Sequence, residues 1–184
     1  MQAQFAPIFL LVEMAERAEA DFRALRKAEK SRITNAYSNE VAVKLRQLRY
    51  CLQRIEDLLK RFSYAKFAAH GDILQELSFY TEAFYWFAWR TRQACARADG
   101  LSDFSCDGVR DVRNHLIEHP EKHVDGLSQA GVFGIGPGGP MIKHPAIDKG
   151  LFGNAEQFYQ NLLAMLERNV DPRSGLSCRI DPLR

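Results

Sequence analysis

The sequence predicts an all-α protein: an antiparallel four-helix bundle with an extra C-terminal helix and an irregular loop rich in glycine and proline. Three observations predict it. Apolar residues recur in steps of three and four over three long stretches before residue 100. Charge along the first of these runs from acidic to basic, as a helix dipole favours. Many of the glycines and three of the seven prolines gather between residues 121 and 153, which separates one more periodic stretch from the rest. With 184 residues, 46% of them hydrophobic, the chain can build one real core and is not a disordered polymer.

The first helix is predicted over about Pro7 to Lys30. Ile8, Leu11, Ala15, Ala18, Phe22 and Leu25 form its stripe, and Pro7 suits a first turn. Glu13 and Glu16 lie early, and Arg23, Arg26, Lys27 and Lys30 lie late. Ser31 to Asn39 reads as a loop. The second helix is predicted from about Asn39 to Phe62 on Val41, Leu45, Leu48, Leu52, Ile55, Leu59 and Phe62, so the two helices should pair as a hairpin. A break or short helix covers Ser63 to Gly71. The third helix is predicted to open at Gly71 and Asp72, with Gln75 completing a capping box, and to close near Ala98 at the Asp99-Gly100 pair. Phe79, Tyr80, Phe84, Tyr85, Trp86, Phe87 and Trp89 surround it, more than one stripe can hold, which predicts a central position or a homodimer interface. The fourth helix is predicted from near Ser105 or Asp107 to Pro120, with Val109, Val112, Leu116 and Ile117 inward. Residues 1–120 are the expected core bundle and 121–153 the loop, with a short hairpin around Val132 to Lys143. The last helix spans about 154–170, with Asn154 as N-cap and Phe158, Leu162, Met165 and Leu166 on one face; 171–184 is a tail.

The net charge of +2 does not by itself select a partner, but its distribution is uneven. Lys44, Arg46, Arg49, Arg54, Lys60, Arg61 and Lys66 face only Glu56 and Asp57 in their segment. This reads either as a solvated helix face or as a patch turned toward RNA. Cys51, Cys95, Cys106 and Cys178 are scattered without any paired spacing, which fits free thiols in a reducing cytoplasm. The apolar run Phe5 to Val12 has no basic residue before it and is broken by Pro7, so neither a targeting segment nor a membrane span is expected.

The densest chemistry is Val112-Arg113-Asn114-His115-Leu116-Ile117-Glu118-His119-Pro120. His115, Glu118 and His119 satisfy the literal H-x-x-E-H string of inverted zinc peptidases, and His115 and His119 would share a helix face. Pro120 ends the helix at once, and no motif marks Asp148, Glu156 or Glu167 as a third ligand, so no metal is expected. Gly134-Ile135-Gly136-Pro137-Gly138-Gly139 satisfies G-x-G-x-x-G. A dinucleotide site needs a strand before it and a helix directly after it; Pro140 follows instead, and Pro137 lacks an amide, so no nucleotide cofactor is expected. The loop either folds over a neighbouring site, with Lys143 or His144 at its rim, or is a plain loop.

Arg113 through His119, an arginine with a polar residue after it and a histidine six positions on, resembles the motif of the HEPN superfamily (higher eukaryotes and prokaryotes nucleotide-binding domains). The resemblance covers seven residues as motif and about the first 120 as architecture. It implies a helical bundle, often a homodimer with two motifs facing one cleft, that cleaves RNA without metal as a toxin or defence effector, in some cases held by an antitoxin. Other members only bind nucleotides or partner proteins.

The residue chemistry suits this reading. Cleavage through the 2′-hydroxyl needs a base and a cation to stabilise a charged phosphorane. Histidine as a residue type titrates near neutral pH, so His119 can be the base. The Arg113 fork stays charged and can hold phosphate oxygens. Asn114 orients phosphate or histidine, and His115 is a second acid or a helix-end cap. Arg110 and Lys143 are the expected nucleic-acid contacts, and Asp107 and Asp111 the candidate acids. A structural reading stands beside this one: Arg110 and Arg113 pair with Asp107, Asp111 or Glu118 along the helix, and His119 satisfies terminal carbonyls. Residues six apart on a regular helix are about 240° apart, so Arg113 and His119 meet one phosphate only if the helix loosens or a second subunit completes the site.

Overall fold

A computed structural model describes residues 7–27, 36–65, 69–98, 100–114, 133–136, 139–142 and 151–169. They form five helices and one hairpin. Helix α1 is Pro7–Lys27, α2 Ala36–Tyr64, α3 His70–Cys95, α4 Asp107–Arg113 and α5 Leu151–Arg168. Strands β1 (Phe133–Gly136) and β2 (Gly139–Ile142) pair antiparallel, Gly136 opposite Gly139 and Phe133 opposite Ile142. The chain is thus an all-α bundle with a small hairpin laid against it, β1 along α3 and β2 along α2.

The predicted stripes are the core. Ile8, Leu11, Ala15, Ala18, Phe22 and Leu25 of α1 are all buried, as are Val41, Leu45, Leu48, Leu52, Ile55 and Phe62 of α2. Cross-helix contacts give the directions. Glu16 meets Gln53, Glu19 meets Arg49 and Arg26 meets Asn39, so α1 and α2 run antiparallel. Between α2 and α3, Glu40 meets Arg90, Lys44 lies over Phe87, Tyr50 touches Tyr80 and Arg54 meets Glu76, so these too are antiparallel. Contacts then close a ring: α1 on α2, α2 on α3, α3 on α4, α4 on α5 and α5 back on α1. The C-terminal helix is therefore built into the core. Its Phe158, Tyr159, Leu162, Met165 and Leu166 belong to the same buried cluster as α1 and α2.

Several helix ends differ from the sequence reading, each for a tertiary reason. Helix α2 begins at Ala36, before Asn39, because Ser38 is buried and the Asn39 amide oxygen accepts from Arg26. Helix α3 begins at His70 with Ala69 as N-cap, so the Asp72–Gln75 capping box does not form. The His70 ring stacks on Phe62 at 4.0 Å and its Nε2 lies 3.2 Å from the Ala65 carbonyl, which starts the helix two residues early. Asp72 then lies within the first turn, where its charge suits the dipole. The far end stops at Cys95, short of Ala98, and winds through tight turns to Gly100, whose φ of 76° lies in the left-handed region. Those turns put Leu101 and Phe104 into the core, Phe104 packing edge-on against Phe158 at 5.2 Å. Helix α5 begins at Leu151, so Asn154 is interior and not an N-cap. Its side chain instead packs against Gly108 of α4, where a Cβ would come within 3.0 Å of Asn154 Cγ.

The aromatic surplus of α3 is mostly absorbed by this one chain. Phe84 and Tyr85 are buried, Tyr80, Phe87 and Trp89 half-buried, and only Phe79 and Trp86 exposed.

A buried carboxylate anchors one of the polar contacts between α1 and α2. Glu19 is 7% exposed and accepts from Arg23 and Arg49 at 2.7 Å each, with Arg46 at 3.6 Å. Burial alone would push its carboxyl up. The Arg49 hydrogen bond and the three guanidinium charges outweigh that and hold it below the ordinary value near 4.5. A group so lowered stabilises the fold above its ordinary value and stops doing so as pH falls through its folded value. Thermal melts of wild type and Glu19→Gln should therefore differ most above pH 4.5 and converge in acid; a gap independent of pH would contradict the clamp.

The Gly108–Asn154 approach has its own test. Gly108→Ala should stabilise by about 1 kcal/mol in an Asn154→Ala background, from helix propensity. In the wild-type background that gain should be lost or reversed, because the new methyl meets Asn154. Urea titrations of the four proteins measure the coupling, and additivity would refute the contact.

Candidate functional site

Helix α4 carries the arginine of the motif, and α3 receives it. Val109 and Val112 are buried, so they seat α4 against the core and turn Arg113 toward α3. There the Arg113 guanidinium carbon lies 5.5 Å from the Trp86 ring centre and 5.8 Å from that of Trp89. The two tryptophans are three residues apart on one helix face, which lets both reach one cation. Arg113 Nη1 also donates to Asn114 Oδ1 at 3.0 Å. Arg92 of α3 lies over the same Trp89 at 5.4 Å, so Trp89 has two guanidiniums about it.

The arrangement is a guanidinium held in place by two indoles and an amide. The guanidinium lies within cation–π range of both indoles, and a planar guanidinium has the forked shape that matches phosphate or carboxylate oxygens. Trp86, 40% exposed, offers an indole surface beside that fork. Glu82 lies four residues before Trp86 and seven before Trp89, on the same side of α3 by helical spacing. It is half-buried, and burial pushes its carboxyl up from its ordinary value.

The structure brings together Arg113 and Asn114 among the site residues expected from sequence. Arg110 stays at the surface beside Asp111, at 3.8 Å, on the solvent side of α4. Asp107 and Asp111 are also exposed. His115, His119, Glu118, Lys143 and His144 lie outside the described residues, as do Leu116, Ile117 and Pro120. Trp86, Trp89, Arg92 and Glu82 were not singled out as site residues. The signal available for them was their spacing along one face of α3, which reads equally well as core.

The glycine string is not a phosphate loop. Gly134 and Gly136 lie in β1 and Gly139 in β2, and the two strands pair antiparallel, so most of the string belongs to the hairpin strands. The three described cysteines are not nucleophiles. Cys51, Cys95 and Cys106 are buried, and burial pushes each thiol up to about 12. Among the described residues no three His, Cys, Asp or Glu side chains gather as a metal ion would require, and no helix is long and apolar enough to cross a membrane. Comparison of the chain with protein-family models, with curated proteins and with solved structures found no match in any of the three.

A cation on partly exposed indoles stabilises by about 0.5–1 kcal/mol. A double-mutant cycle with Arg113→Ala and Trp86→Leu should return a coupling energy of that size in chemical denaturation. Zero coupling would mean that the guanidinium does not rest on this ring.

Proposed function

We propose that the chain is a HEPN-like protein directed at RNA, and that it acts as a metal-independent endoribonuclease of toxin or defence type. The observation that supports it is the guanidinium of Arg113, set against Trp86 and Trp89 and hydrogen-bonded to Asn114, with Arg92 over the same Trp89. A cation set this way does not reorganise when charge develops on a phosphorane. In this reading His119 takes the 2′-hydroxyl proton, Arg113 holds the phosphate, Asn114 keeps the fork in register, and His115 returns a proton to the leaving oxygen. A second copy of the chain, meeting this one over the exposed Phe79 and Trp86, would set two motifs on one cleft. Arg110 and Lys143 add charge for the RNA backbone.

A second reading is a non-catalytic module that binds a nucleotide or a partner protein. It is favoured by Trp86, whose exposed indole beside a fixed cation can stack on a base without any base catalyst.

Cleavage of a structured RNA in EDTA separates the two. Arg113→Ala and His119→Ala should each abolish cleavage, the double variant should add little, and the rate should show a histidine-like pH limb. The active species should sediment as a dimer. RNA retained without cleavage, with Arg113→Ala releasing it, selects the binding module. Indifference of both binding and cleavage to Arg113 excludes both readings.

A further inference from the structure

A second group of arginines lies on the other neighbour of α2, between α1 and α2. A cleft of about 290 Å³ opens there, lined by Glu19, Phe22, Arg23, Arg26, Lys27, Ala42 and Arg46. Its floor is apolar: Phe22 is buried and Ala42 half-buried. Its rim is cationic. Glu19 is the sole acid in the lining, and both its oxygens are already engaged, Oε1 by Arg23 and Arg46 and Oε2 by Arg49. Three guanidiniums thus share one carboxylate, and Arg26 and Lys27 add two more positive charges. Arg26 finds a neutral partner, the Asn39 amide oxygen.

Among the described residues, three acids of α1 and α2 that do not line the cleft have partners of their own. Asp21 lies 3.5 Å from Arg17, Glu40 lies 3.3 Å from Arg90, and Glu16 accepts from Gln53. Arg46 uses only its Nε toward Glu19, and Arg23 only its Nη2. Both side chains are mostly exposed, at 69% and 59%, so their remaining N–H groups point to solvent around the cleft. Arg23 is hydrogen-bonded to Glu19 at 2.7 Å and Arg46 is ion-paired with it at 3.6 Å, which keeps both guanidiniums at the rim of the cleft. Planar guanidinium forks match phosphate oxygens, so a tetrahedral oxyanion suits this rim.

We infer that the α1–α2 cleft is a binding site for the phosphate group of an anionic ligand, held by Arg23, Arg46, Arg26 and Lys27, with Glu19 positioning the first two. The cleft is at the small end of ligand pockets, so it takes a phosphate or diphosphate and little beyond it. The group comes either from a free phosphorylated small molecule or from a nucleic-acid backbone. The inference does not depend on Arg113 or on cleavage of RNA.

Calorimetric titration of the intact protein with inorganic pyrophosphate tests it. Binding is expected, and Arg46→Ala should weaken it at least about tenfold, since a charge-assisted contact is lost. Arg46→Ala leaves Arg23 and Arg49 on Glu19, and an unchanged melting temperature verifies the fold. Lys27→Glu, also at the surface, should abolish binding by charge reversal. Arg61→Ala, which removes the same charge from the exposed end of α2, should change affinity by less than about twofold. Absence of binding at low ionic strength overturns the inference. An equal loss in Arg61→Ala overturns it too, because a diffuse field and not a site would then explain the heat. A single-stranded oligouridylate that competes with pyrophosphate identifies a backbone phosphate as the source; failure to compete identifies a small molecule, and the phosphate site stands in both cases.

Discussion

The rest of the molecule depends on the burial of α2 between two antiparallel neighbours. A helix of 29 residues with apolar positions every three and four turns one stripe to the core, and α1 and α3 both pack along it. Val41, Leu45, Leu48 and Leu52 are all buried to within 2% of full cover. Because α2 is long, it holds different partners along its length: Arg26 near its start, Glu19 at its middle, and His70 against Phe62 at its end. The short segments then fit around that pair. Helix α4 fills the space between α3 and α5, and the hairpin lies across α2 and α3.

Arginine is used in two distinct ways on this frame. Around Glu19, guanidiniums meet a carboxylate that three of them keep ionised in a nearly dry place. Desolvation opposes that charge, and it persists because both oxygens are hydrogen-bonded or ion-paired. At α4 the Arg113 cation meets two indole rings, whose π density attracts it without a formal charge of their own. The first arrangement ties two helices and collects positive charge. The second ties a seven-residue helix to a long one and presents a single fixed cation. Both outcomes follow from the same side chain being planar, always charged and weakly hydrated.

The parts of the site differ in how far one stretch of sequence reveals them. Arg113 and Asn114 stood out because they sit together in a run dense with ionisable groups. Trp86 and Trp89 did not, because tryptophans on a helix with seven aromatics in eleven positions read first as packing. Glu19 did not either. Its partners Arg46 and Arg49 lie 27 and 30 residues away, and only the antiparallel pairing of α1 with α2 joins them. The glycine string of 134–139 could be refused as a dinucleotide motif from its own prolines, and the hairpin register supplies what it is instead.

By itself the sequence determined which residues would be core and where the long helices lie, because the period of apolar residues is a local property of the chain. It also placed the hairpin between residues 132 and 143, since turn residues announce themselves locally. Only the tertiary structure decided the helix ends. His70 starts α3 early by stacking on Phe62, Asn154 is interior because α5 begins before it, and α3 stops at Cys95 so that Leu101 and Phe104 can enter the core. It alone decided that the C-terminal helix closes the bundle against α1, and that one carboxylate would gather three arginines. Each of these rests on contacts between residues far apart in the chain, whose strength depends on desolvation and geometry that no short window of sequence contains.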